Sequence, residues 1–305
     1  MNDKMTTIAD ILREETADLP PRVEAVCDII ENRHAERVQA FIYYGSSLRE
    51  LDNPEKMLDF YVLVDSYRKT HKPVRAILNA LIPPAVYYVE HTNKEGTTST
   101  CKYSILSLPA FERRCSSKTF LSQTWGRFSQ PCALLRSKSN TITDRIIKAR
   151  EAAIRHIAAE TEPAFQNSPT PQEFWARAFY ESYRTELRPE SSVERTTEFV
   201  GRYLPRYERL SAILYKMDND KIVLPMTQRK GTRLRWFFRR LFGKPISAIR
   251  VVNSAATFDG GLDYVLRKLK NHSGVTIEPS AFQRRHPVIC SPVLGWKLWR
   301  KGAFR

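Results

Sequence analysis

The stretch at residues 40–65, AFIYYGSSLRELDNPEKMLDFYVLVD, constrains the fold more than any other part of the chain. Its apolar runs at 40–44 and 58–64 have strand length and are rich in β-branched and aromatic residues. Runs this apolar are buried on both faces, so they need further strands beside them and helices above and below. Further apolar runs at 85–89 and 102–107 supply strands, and the spacing predicts helices at 4–17, 22–39, 72–82, 109–122 and 143–159. A proline-punctuated polar segment at 163–171 precedes more helix at 171–218. The expectation is an α/β (α+β) fold around a mixed sheet, followed by mostly helical sequence.

Between the first two strands stands Gly45-Ser46-Ser47. A glycine lets the backbone turn sharply and approach a ligand, and the N–H and hydroxyl groups of the two serines can cradle a phosphate. Asp59, one residue into the second strand, can supply the oxygen that a hard cation requires. That order of strand, turn and carboxylate-bearing strand is the pattern of a polymerase-β-type nucleotidyltransferase, in which a metal aligns the attacking oxygen with the leaving pyrophosphate. The usual second carboxylate two residues on is Tyr61 here, which leaves Asp65 as the other candidate metal ligand on this strand. The local sequence is equally consistent with a plain hairpin turn and a capping aspartate.

Four more segments follow in order: VYY at 86–88, CKYSILS at 101–107, TWGRFSQP at 124–131 and SYRTELR at 182–188. With YGSS and LDFYVLVD they resemble the mitochondrial-type CDP-diacylglycerol synthases, the translocator assembly and maintenance family, over about residues 38–270. That family carries YGSG, a strand aspartate without a second one at +2, KYGVxS, AGRLQKP and SYxGDxR. Tyr61 is thereby a point of agreement, while Ser47, Ser104, Gln130 and Glu186 depart from the pattern. The resemblance implies a Mg²⁺-dependent transfer of CMP from CTP to phosphatidic acid. It implies catalytic roles for Asp59 and Lys102, and nucleotide contacts at Gly45, Ser46, Ser47, Lys102, Tyr103, Arg127 and Gln130. Glu186 and Arg188 are further candidates. It also frames a division into a nucleotidyltransferase domain at 1–142, a helical, winged-helix-like domain at 143–225 and a basic tail at 226–305.

Charge singles out the tail. Residues 226–305 hold 17 Lys/Arg against 3 Asp/Glu, so nearly all of the net charge of +16 lies there. Arg235, Trp236, Phe237, Phe238, Arg239 and Arg240 interleave aromatics with cations, the composition of a helix that lies in the headgroup boundary of an anionic membrane. Nucleic acid is the rival partner for such a segment. No apolar run spans a bilayer, the amino terminus has no apolar signal core, and five scattered cysteines show no C-x-x-C spacing. The expectation is a cytoplasmic protein peripheral to the inner face of the membrane. Two alternatives stand beside it: a nucleotidyltransferase acting on an RNA end or a protein hydroxyl, and a non-catalytic lipid- or RNA-binding module.

Overall fold

The computed structural model describes residues 6–15, 19–45, 48, 53, 56–71, 73–81, 83–187, 192–225, 230–255, 266, 270, 273–285 and 287–302. Five strands, β1 (Val38–Tyr43), β2 (Leu58–Val64), β3 (Ala85–Thr92), β4 (Thr98–Ser107) and β5 (Ala133–Ser137), form one sheet in the order β3-β4-β2-β1-β5. The β2–β4 pair is parallel and the other pairs are antiparallel, so the sheet is mixed and the fold is α/β.

Alternation along the strands sends side chains to two cores. Phe60, Val62 and Val64 of β2, with Tyr103 and Ile105 of β4, pack against Val23, Val26, Cys27 and Ile30 of α2 (Pro21–His34), and Tyr67 of α3 (Tyr67–Thr70) and Ala76 of α4 (Pro73–Leu81) join them. Tyr61, Leu63 and Leu106 point the other way. There they meet α5 (Leu108–Cys115), α6 (Gln123–Phe128), α7 (Asn140–Thr161) and α8 (Pro171–Tyr183). The second core also takes in Ile11 and Leu12 of α1 (Ile8–Glu14), Val200 of α9 (Val193–Gly201), Leu210 of α10 (Leu204–Leu214) and Trp236 of α11 (Thr232–Ala255). Residues on both sides of positions 142 and 225, the expected limits of the domains, contribute to this core.

Local signals explain the element limits. Thr170 caps α8 in a reciprocal capping box with Glu173, and Pro171 occupies its first turn. The predicted helix at 22–39 ends at His34 because Ala35 takes a φ of 49° and the chain enters β1 three residues later. The predicted helix at 109–122 is two, α5 and α6, because the chain turns at Ser116 and its carbonyl-seeking hydroxyl bonds Arg113 O at 2.7 Å.

Two buried ion clusters tie the helices together. The Arg150 guanidinium of α7 donates to Glu15 at 2.5 Å and to the carbonyls of Cys132 and Gln130, both at 3.2 Å. Arg206 of α10 meets the same carboxylate. Burial pushes the Glu15 carboxyl up, but Arg206 and Arg150 outweigh it and hold the group below its ordinary value. The second cluster is Glu160 at the end of α7, which accepts from Arg239 Nη1 at 2.7 Å and Arg235 Nε at 3.2 Å.

That second cluster corrects the reading of 235–240 as a lipid anchor. Trp236 is buried and donates to Glu160 O at 3.0 Å. Arg239 is also buried, with its guanidinium over the rings of Trp236, Trp125 and Phe120, and Arg240 pairs with Glu181 at 2.8 Å. Of the six expected membrane residues, only Phe237 and Phe238 are exposed.

Removing a partner from a buried pair leaves an uncompensated charge, which costs about 3–5 kcal/mol. Glu160→Ala is therefore expected to lower unfolding free energy by that order, whereas Glu198→Ala, which breaks the exposed pair with Arg202, changes it by less than about 1 kcal/mol. Chemical denaturation of both variants checks this.

His34 and His71 yield a pH expectation. Burial, then Arg33 beside His34 and His34 beside His71, pushes each imidazole down to about 4. Unfolded histidine titrates near about 6.5. Between those values the unfolded chain takes up protons that the native chain refuses, so this contribution to stability is complete above pH ~6.5 and falls as pH falls toward 4. The thermal midpoint should decline across that window, with a shallower slope in the His34→Gln, His71→Gln variant.

Candidate active site

The parallel register of β2 and β4 pairs Asp59 with Lys102 and Tyr61 with Ser104. All four lie on the sheet face covered by α5, α6 and α8, because Asp59 shares the parity of Tyr61 and Leu63. Asp59 and Lys102 are half-buried, as groups that must be both aimed and reachable should be.

Tyr44 and Gly45, the first residues after β1, lie against Asp59. Tyr44 N donates to Asp59 O at 3.2 Å. Gly45 adopts a φ of +101°, and a Cβ built there would stand 3.5 Å from Asp59 Oδ2, so the backbone passes directly over the carboxylate. Arg22 of α2 fixes the far end of the excursion by donating to the carbonyls of Asn53 and, at 3.0 Å, Lys56. Ser46, Ser47 and Arg188 lie outside the described residues. Burial, then the adjacent Asp59 charge, holds the Tyr44 phenol well above its usual range despite a hydrogen bond with Ser104. Ser104 thus holds the ring that borders Asp59.

The two later motifs fold onto one another. A Cβ at Gly126 of α6 would meet Ser182 Oγ of α8 at 2.1 Å, so only glycine permits this approach. Ser122 and Thr185 hydroxyls bond at 2.8 Å, and Tyr183 donates to Gln130 Oε1 at 3.1 Å. Gln130 in turn donates to Gly126 O at 3.0 Å and serves as a brace within the fold. Arg127, held by this packing, lies over the Tyr44 ring at 4.9 Å with Nη2 3.8 Å from Glu186 Oε2. Burial works against its charge, but Tyr61, Tyr44 and Glu186 outweigh burial and hold it above the ordinary arginine range.

Two expected site residues lie elsewhere. Tyr103 has the opposite parity to Lys102, is fully buried on the α2 face, and its hydroxyl meets Arg33 Nη1 at 3.1 Å and His34 Nε2 at 3.0 Å. Asp65 pairs with Arg37 at 3.2 Å just beyond the far end of β2. Six residues of strand separate it from Asp59 by about 20 Å, too far for a shared metal.

Two arginines join the site without a sequence signal. Burial holds the Arg114 guanidinium of α5 below its ordinary range and, with the charges of Arg114 and Arg127, that of Arg250 of α11, while Glu186 acts the other way on Arg250. Burial, then Arg114, pushes the Arg250 guanidinium down to about 10. Arg114 was one of two consecutive arginines on a short helix, and Arg250 one of many cations in the tail, so neither stood out.

Among the described residues no group of three His, Cys, Asp or Glu side chains gathers to hold a metal. Asp59 alone still fits Mg²⁺, which usually keeps several waters and binds through one or two carboxylates plus substrate phosphates.

No family model matches the chain, and no curated protein matches it. Among solved structures it is similar to a nucleotidyltransferase-like protein from Exiguobacterium sibiricum 255-15, at 10% identity over 93% of this chain and 92% of that one, with a TM-score of 0.27. So loose a superposition leaves function to the geometry of the site itself.

Gly126→Ala should force α6 off α8, at an overpacking cost of about 1–3 kcal/mol. Part of that loss should return in the Gly126→Ala, Ser182→Ala double variant, since the closest clash is with Ser182 Oγ. Denaturant unfolding of the single and double variants gives the comparison.

Proposed function

We propose that this chain is a Mg²⁺-dependent nucleotidyltransferase that moves CMP from CTP to phosphatidic acid, giving CDP-diacylglycerol and pyrophosphate. The observation that carries the reading is the in-register pair of Asp59 and Lys102 beneath the Gly45 turn. When bound at Asp59, Mg²⁺ neutralises charge on the phosphate oxygens and orients them.

The chain's own residues account for the rest. The absence of a side chain at Gly45 lets phosphate oxygens approach the backbone, and Lys102 offers a point charge to the leaving pyrophosphate. In the reaction an acceptor phosphate oxygen forms a bond to the α-phosphorus as the α–β bridging bond breaks. A hydroxyl acceptor must give up a proton during that step, whereas a phosphomonoester is largely ionised near neutral pH, its second pKa being about 6. Tyr61 stands where a second carboxylate would otherwise be, and it is buried between Tyr44 and Phe128, both 4.9 Å away. A site with that residue suits an acceptor that arrives already ionised. The choice of cytidine and of a diacylglycerol acceptor rests on the resemblance of the ordered motifs.

The outer face of α11 supports a lipid acceptor. Leu234, Phe237, Phe238, Leu241 and Phe242 are exposed in a single stripe, with Phe238 and Phe242 stacked, and exposed Lys230, Arg233 and Lys244 beside it. A peripheral seat on an anionic membrane needs that combination of apolar groups and cations. No helix among the described residues is long and apolar enough to cross a membrane.

Purified protein should transfer label from [α-³²P]CTP, with Mg²⁺, to liposomes only when they contain phosphatidic acid. Asp59→Asn should lower that rate by about 100-fold or more with the fold retained, as removal of a group stabilising transition-state charge does. Label in RNA or in protein, with none in lipid, would replace this acceptor with one of the alternatives.

A further inference from the structure

We infer that Arg127 is a positioning residue of this site: its guanidinium, laid on the Tyr44 ring, holds the Gly45 turn against Asp59, so that the gap between turn and carboxylate is set from α6. The contact stands by itself, and only its consequence for nucleotide binding rests on the proposed reaction.

Tyr44 is the residue through which such a hold can act. It follows the last residue of β1, and its N–H donates to Asp59 O at 3.2 Å, which keeps the chain on β2 just before the backbone turns at Gly45. Its ring lies 4.9 Å from that of Tyr61 on β2, tilted by 45°. The Arg127 guanidinium of α6 stands 4.9 Å from the centroid of the same ring. An arginine within about 6 Å of an aromatic centroid is attracted by the ring quadrupole, and more strongly as the pair leaves water. A side chain held by strand and helix together leaves its own backbone little freedom, and Gly45 is the next residue along. A Cβ at Gly45 would stand 3.5 Å from Asp59 Oδ2, so an outward shift of Tyr44 would widen the very gap that a phosphate and its metal must fill.

The surroundings of Arg127 suit holding a ring better than capturing a phosphate. Its side chain is only 18% exposed, and Glu186 Oε2 lies 3.8 Å from Nη2, so a carboxylate already offsets its charge. The resemblance implies a nucleotide contact at Arg127. A covered, charge-balanced guanidinium instead reaches the nucleotide through the turn it holds.

Arg127 is itself held from behind. Gly126, the residue before it, lies so close to α8 that a Cβ there would meet Ser182 Oγ at 2.1 Å, and Tyr183 of α8 donates to Gln130 Oε1 at 3.1 Å. A mechanical line therefore runs from α8 through Arg127 and Tyr44 to the turn over Asp59.

Amide hydrogen exchange of the full-length protein, read by NMR, tests the contact. In Arg127→Gln the protection of the Tyr44 amide should fall about tenfold, while that of Ile154 in the middle of α7 stays as in the wild type. Tyr44→Leu removes the same contact from the other side and should lower protection at position 44 equally, so the test stands if Arg127→Gln does not fold. Tyr44→Phe, which keeps the ring, should retain that protection. Calorimetry with Mg²⁺ and CTP should show binding weakened about tenfold in Arg127→Gln and in Tyr44→Leu, with no further weakening in the double variant, since both remove one contact. Unchanged protection at position 44, an equal fall at Ile154, or CTP binding that the single variants leave unaltered or the double variant weakens about a hundredfold would each overturn the inference. Selective loss of protection at position 44 in a protein whose wild type binds no CTP would overturn the proposed reaction and leave the positioning contact standing.

Discussion

The parallel pairing of β2 with β4 decides where chemistry can occur in this chain. It sets Asp59 and Lys102 side by side, and because β1 runs antiparallel to β2, the turn that leaves β1 must end above the start of β2. A carboxylate, an ammonium and a close-passing backbone are thereby brought to one edge of one sheet face by register alone. A one-residue slip would send Asp59 into the apolar layer against α2, where its charge would have no partner. The apolar residues on both faces of β2 resist that slip.

The second organising contact is the buried Glu160 carboxylate. It converts a basic, aromatic segment into a two-sided helix, with Trp236 and Arg239 turned inward and Phe237, Phe238 and Phe242 left outside. The same helix that presents apolar groups to the exterior packs Gly243 against Thr185 O, next to Glu186. The exposed stripe and the buried clamp are consequently two faces of one helix.

Much of this was legible in the sequence. The apolar run 58–64 coincides with β2 because every residue of it except Asp59 is buried. β5 was not legible, since it is an edge strand whose Arg136 serves Asp28 and Glu31 of α2 and breaks the apolar pattern. Gly45, Asp59 and Lys102 each stand in a short local motif, and the strand register brings the three to one place. Tyr103 failed on strand parity and Asp65 on strand length, both of which the spacing already contained. Arg114 and Arg250 could not be read, because what distinguishes them from other cations is a meeting of helices far apart in the chain. For the same reason the tail resembled a membrane anchor: the residue that claims half of it, Glu160, lies some seventy positions earlier.

Gly126 has a bearing on how such a site can vary over time. With no room at that position, the helix bearing Arg127 is locked to α8, and any drift there disturbs the whole helical layer before it alters ligand choice. α11 is held in the same way, since a Cβ at Gly243 would meet the backbone oxygen of Thr185 at 2.3 Å. Variation on either helix therefore disturbs the packing of 182–187 first, and the loops between the helices are left as the places where a change costs least.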